Sequence, residues 1–249
     1  MLPQWAALFV LVFARVGTLV MLLPGLGERF APARVRLGLG LALTLVFLPF
    51  AGPLFKIDVA SGPGIIGALL VEIATGLTLG MSARLIVATL QTAGMVIAQD
   101  LQLSFAQTVD PTAGTQGAAI GNLLTIVGVT LIFVTDLHHL AISAIGASYT
   151  TMPPGMPPDT GDAASLILRT LASSFSLAVK IAAPFAVFAI VFNVGLGMLA
   201  RMMPALQIFF LAMPVSVMFG MLLLAAVIGV MMGGFLDEMG RFLRVLNGG

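Results

Sequence analysis

The chain alternates long apolar runs with short stretches where Pro, Gly and charged residues gather. Six apolar blocks emerge, at roughly 3–24, 37–55, 64–99, 118–149, 165–196 and 205–236. Several reach the ~20 apolar residues that a helix needs to cross a hydrocarbon core. No position from 202 to 236 is charged, and 37–55 and 181–200 are equally clean. The pattern predicts an all-α polytopic membrane protein. The third to sixth blocks exceed one straight crossing, so each predicts a long helix, a tilted one or a tight helical hairpin. Bends are expected at internal breakers: Gly76, Gly80 and Gly94, then Pro184 and Pro214. A helical proline lacks the N–H of one backbone bond and kinks its element. No repeat or separate soluble domain is visible, and residues 1–249 read as a single domain.

Composition agrees with the pattern. Of the 249 residues, 59% are hydrophobic and only 8% charged, whereas a soluble domain carries about 25% charged residues. A net charge of +1 gives no electrostatic case for nucleic acid. The absence of cysteine excludes disulfides, thiolate chemistry and sulfur-ligated metals. The N-terminal run has no basic region ahead of it and holds Arg15 inside it, so it reads as a retained first span rather than a signal peptide.

Charge in the connectors suggests an orientation. Residues 25–36 carry three Arg against one Glu, and 198–206 carry Arg201, whereas 150–164 is acidic and rich in proline. Positive loops stay cytoplasmic, which puts 25–36 and 198–206 inside, with 150–164 and both termini outside. Arg241 and Arg244 weigh against this assignment.

Charges inside the apolar blocks are more informative. Arg15 lies mid-span in the first block, Glu72 and Arg84 lie in the third, and Lys180 opens the clean run of the fifth. Each costs from ~2.5 kcal/mol upward in lipid, so each is expected to face protein or water. Glu72 and Arg84 are about 18 Å apart along a helix, too far for a direct pair. Two readings fit: structural charges at interfaces or paired with neighbours, or the lining of an aqueous path or subunit seam. Glu72, Gly76, Gly80 and Arg84 follow at four-residue spacing, hence near one helix face. Gly76 and Gly80 form a small-xxx-small motif that permits close helix approach. The stripe predicts a tight polar seam between helices or subunits.

Asp136, His138 and His139 invite a metal reading. Adjacent helical histidines point about 100° apart, and no HExxH or third ligand set accompanies them. No metal site is expected, and no cofactor. A GxSxG elbow, a P-loop and a paired-carboxylate constellation are all missing from the sequence, so no enzyme is expected.

Between the third and fourth blocks lies "SFAQTVDPTAGTQG", residues 104–117. Pro111 moves Asp110 out of helical geometry, and Gly114 and Gly117 permit sharp turns. Irregular backbone at membrane depth is tolerated only inside protein or beside a water-filled cavity. Either this is an ordinary polar connector or it is an inward-folded loop that blocks a pore.

Several stretches in order resemble one family: FliR, the R subunit of the flagellar type III export gate, with its injectisome counterpart SctT. "FARVGTLVMLLPGLGERFAPARVRLGLGLALTLVFLP" resembles its N-terminal pattern, an Arg in the first span followed by Pro32, Arg34 and Arg36. "EIATGLTLGMSARL" is similar to its Glu–Gly–Gly–Arg stripe, "LSFAQTVDPTAG" to its L-S-F…D-P segment and "DLHHL" to its polar-His pair. "NVGLGMLARMMPALQIFFLAMP", with Arg201, Pro204 and Pro214, resembles its R-x-x-P…F…P run. Where the family commonly continues with Gln-Leu-Asn, this chain has Ala205, Leu206 and Gln207, and Ser216 stands where relatives often carry a basic residue or Thr.

The resemblance implies a fold like a P-like portion joined to a Q-like portion, built from kinked helical hairpins. It implies one copy of this chain closing a funnel of P-like and Q-like subunits in the bacterial inner membrane at the flagellar basal body. FlhB-like and FlhA-like export proteins, unfolded secreted substrates and membrane lipid are the further partners implied. In such gates the loop matching residues 104–117 plugs the closed pore. That role would fall to Leu103, Ser104, Phe105, Val109, Asp110, Pro111 and Gly114, with Glu72, Gly76, Gly80 and Arg84 in a subunit seam. Alternatives are the injectisome subunit, or a small-solute transporter with its site near Glu72 and Arg84; the inverted repeats expected of the latter are not visible.

Overall fold

The computed structural model describes residues 2–27, 32–55, 62–103, 116–202 and 208–248. Those residues form seven α-helices and one 3₁₀ turn, with no strand among them. Helix α1 spans Leu2–Leu22 and α2 spans Ala33–Ala51, followed by the 3₁₀ turn Gly52–Leu54. Helix α3 runs over Gly62–Asp100, α4 over Gln116–Val134 and α5 over Leu137–Thr151. The last two are α6, Thr160–Met202, and α7, Ile208–Leu246. Five helices are long and apolar enough to cross a membrane, and α4 with α5 make a sixth candidate as one bent span.

Helix length follows from uninterrupted apolar sequence. The 39 residues of α3 and 43 of α6 extend about 58 and 64 Å at 1.5 Å per residue. That is about twice a hydrocarbon core of ~30 Å. Both helices, and α7, continue through the residues expected to bend them; Pro184 lies inside α6 and Pro214 inside α7.

A sharp break falls elsewhere. Between Val134 and Leu137 the chain turns by 77°, because Asp136 takes a left-handed conformation at φ +58°. Aspartate tolerates that region better than most side chains. The fourth block is therefore two helices joined by an elbow.

By contact the chain separates into two compact units, each assembled from several stretches. The first comprises Met1–Ile86, Val129–Ala172 and Asp237–Gly249; the second comprises Val87–Gly128 and Ser173–Leu236. In the first, α1 packs along α2, with Leu11, Val12, Val16, Val20 and Ile145 in its core. In the second, Leu90, Ile97, Leu124, Phe185 and Phe235 are buried. There α3 and α4 cross at Gly94 and Gly121, where a methyl group on Gly94 would collide with the Gly121 backbone.

Candidate functional site

The charged residues of the first unit meet inside it. Arg15 on α1 and Glu72 on α3 are both fully buried. Arg15 Nε donates to Glu72 Oε2 at 2.6 Å, and Nη2 donates to Oε1 at 3.1 Å. The planar guanidinium fork matches a carboxylate in this two-bond geometry. Nη1 donates to the carbonyls of Ser148 (2.9 Å) and Met152 (2.8 Å) at the end of α5. The Tyr149 ring lies 4.4 Å from the guanidinium carbon, and its hydroxyl donates to the Val12 carbonyl at 3.4 Å. The Gly155 amide donates to Glu72 Oε1 at 3.0 Å. One ion pair thus ties α1, α3, α5 and the turn after α5 together. Neither charge faces water, so an aqueous path does not run along this pair.

The small residues of the stripe explain how α3 comes close enough. A methyl group on Gly76 would stand 2.9 Å from Thr18 Cβ and 3.0 Å from the Arg15 carbonyl; one on Gly80 would stand 2.7 Å from Leu22 Cβ. Glu72, Gly76 and Gly80 therefore face α1 of the same chain. Buried hydroxyls beside them are satisfied within the helix, Thr75 to the Val71 carbonyl and Ser82 to the Thr78 carbonyl. Arg84 is half-buried and makes no ion pair among the described residues. Tyr149, Ser148, Met152 and Gly155 were not singled out from sequence. The available signal was charge balance: one Arg and one Glu in separate apolar blocks tend to find each other.

The other site leads into the segment 104–117. Helix α3 ends in a turn closed by Gln102 N–H to the Gln99 carbonyl (2.9 Å) and Leu103 N–H to the Ala98 carbonyl (3.0 Å). Gln102 is left-handed at φ +59°, and its amide donates to Asn193 Oδ1 on α6 at 3.2 Å. Leu101 is buried and fills the space over Gly220 on α7, where any added methyl group would collide with it. Three enclosed polar atoms described in this unit, Asp100 Oδ2, Ser174 Oγ and Ser216 Oγ, have no hydrogen-bond partner. Leu103 is the first of the expected plug residues; Ser104, Phe105, Val109, Asp110, Pro111 and Gly114 lie outside the described residues, as does Pro204.

The remaining predicted residues are dispersed. Pro32 stands at the N-cap of α2, Arg34 is exposed, and Arg36 Nη1 donates to the Gly27 carbonyl at 3.3 Å. Arg201 is exposed in the last turn of α6, and Lys180 is exposed on the same helix. At the elbow the divergence expected of adjacent helical histidines does not hold. Ligand atoms of Asp136, His138 and His139 lie within 4.8 Å of one another, and the two imidazole rings are 4.1 Å apart. The left-handed turn gathers them at the first turn of α5. These three residues could hold a metal ion, although the positive end of a helix works against a cation.

Comparison with known proteins joins these observations. Residues 6–242 match the family model described as bacterial export proteins, family 1. The chain is 44% identical over 215 residues to the flagellar biosynthetic protein FliR of Caulobacter vibrioides, covering 86% of each chain. It is 31% identical over 221 residues to the protein of the same name from Pectobacterium carotovorum, covering 89% of this chain and 84% of that one. The Yop proteins translocation protein T of Yersinia pestis is 25% identical over 229 residues, covering 90% of this chain and 82% of its own.

Proposed function

Since the chain belongs to family 1 of the bacterial export proteins, we propose that it is the R-type subunit of a flagellar type III export gate. It sits in the inner membrane at the flagellar base as a multi-pass helical protein and helps to form the channel through which unfolded flagellar proteins leave. The observation that carries this reading is the family match over nearly the whole chain. The flagellar assignment draws on identities of 44% and 31% to flagellar relatives, against 25% to the Yersinia protein. That last likeness keeps the injectisome role as the second reading, and the neighbouring genes separate the two.

In this role the chain acts as one polytopic domain without a catalytic step of its own. A single copy assembles with P-like and Q-like subunits, and FlhB-like and FlhA-like export proteins join the assembly. Residues 104–114, led by Phe105 and shaped by Asp110, Pro111 and Gly114, plug the closed pore. The geometry of α3 favours division of labour along its stripe: Glu72, Gly76 and Gly80 hold α1, and Arg84 is the member left for a subunit seam.

Co-expression with P-like and Q-like subunits tests the assignment. A tagged chain is expected to retain both through detergent purification. Isolation of the chain alone, from membranes that contain both partners, would count against the gate.

A further inference from the structure

We propose that the notch at Gly220 on α7, together with Asn193 on α6, is a positioning site that fixes the exit of α3 and so sets where the plug segment begins. The proposal rests on the plug reading and adds to it the residues that aim the plug.

Three observations converge on the same three residues, 101–103. Leu101 is fully buried, and its side chain occupies the space where a Cβ on residue 220 would sit. Only glycine leaves that space, so the notch and the leucine define one another. The notch continues a stripe on α7, with Ala212 and Ser216 buried at the two preceding four-residue steps. Gln102 then adopts the left-handed conformation at φ +59°, which few side chains favour. A local device holds it there: its side-chain amide donates to Asn193 Oδ1 at 3.2 Å. Finally, the Leu103 amide bonds back to the Ala98 carbonyl, which closes the helix end and commits the direction in which the chain departs.

A helix end that only needed to stop would use glycine at the left-handed position and would need no knob. Here a glutamine occupies that position, a neighbouring helix holds it, and a leucine keys the turn into another helix. A shift of the key moves the start of the following segment, whereas the bulk of the helix stays packed.

The experiment measures ion leakage across membranes that contain the assembled gate, with the amount of complex measured in parallel. G220A and L101A are each expected to raise leakage several-fold at unchanged assembly, because each spoils the fit from one side. The double variant L101A/G220A restores room for both side chains and is expected to leak less than either single change. N193A, a change at an exposed side chain, is expected to give a smaller rise; if G220A lowers the amount of complex, N193A carries the test. Deletion of residues 104–112 serves as the reference. If the deletion leaks and none of the point variants does, the positioning site is wrong and the plug stands. If the deletion does not leak either, the plug reading itself fails and takes this inference with it.

Discussion

The two ends of α3 place polar groups in opposite circumstances. Near its start, Glu72 is fully buried, and its carboxylate accepts three hydrogen bonds, two from Arg15 and one from Gly155. At its end, Asp100 has an enclosed oxygen without a partner, and buried Ser216 in the same unit leaves its hydroxyl unmatched. The difference separates what one chain must settle alone from what it leaves open. A buried charge without a partner is too costly to carry, so Arg15 and Glu72 are paired within the chain. A half-enclosed carboxylate and a hydroxyl cost far less, and Asp100 is the last residue of α3.

The largest effect should come from breaking the pair from one side. Arg15→Met leaves the Glu72 carboxylate buried and alone, a loss of about 3–5 kcal/mol, and the chain is expected to disappear from membranes. Replacing both, as R15M/E72M, should recover most of that loss, since paired charges and apolar residues of similar volume are often equivalent in stability. Membrane levels of the single and double variants give the coupling directly. If the double variant is no better than R15M, the pair does more than satisfy itself.

Next in size is the contact that lets the pair form. Gly80→Leu forces a side chain into Leu22 and should cost about 1–3 kcal/mol through overpacking, read as a lower midpoint in detergent unfolding. A change at Gly67, which has nothing within 4 Å, serves as the control and should have little effect. Smaller again is Tyr149→Phe, which keeps the ring beside Arg15 and removes only the long bond to the Val12 carbonyl. A loss of about 1 kcal/mol or less is expected. The smallest is Ser216→Ala, which removes an unpaired buried hydroxyl and should leave stability unchanged or slightly raised, within about 1 kcal/mol. A large loss at Ser216 would erase the contrast between the two ends.

Much of the fold was legible in the sequence because hydropathy alone determines where long apolar helices run. The blocks at 37–55 and 64–99 became Ala33–Ala51 and Gly62–Asp100. Hydropathy is silent once a helix leaves apolar sequence, so α7 was not followed past residue 236. It continues through Asp237, Glu238 and Arg241 to Leu246, with Arg241 Nη2 donating to Glu238 one turn back at 2.5 Å. The elbow at Asp136 was not legible, because Pro184 and Pro214 lie within continuous helices whereas Asp136 turns the chain by its own backbone. The stripe on α3 was visible as spacing, but its partner was not. Arg15 and Glu72 are 57 residues apart, and only packing brings them together. The polar segment 104–117 was visible as composition and as a family likeness, and its role as a plug is the proposal drawn from that likeness.

That role is tested most directly by ion leakage across membranes holding the complete complex, compared between the intact chain and one lacking residues 104–112. The account predicts a clear rise in leakage with an equal amount of complex recovered. Leakage at the level of the intact chain, in complexes that assemble normally, would contradict it.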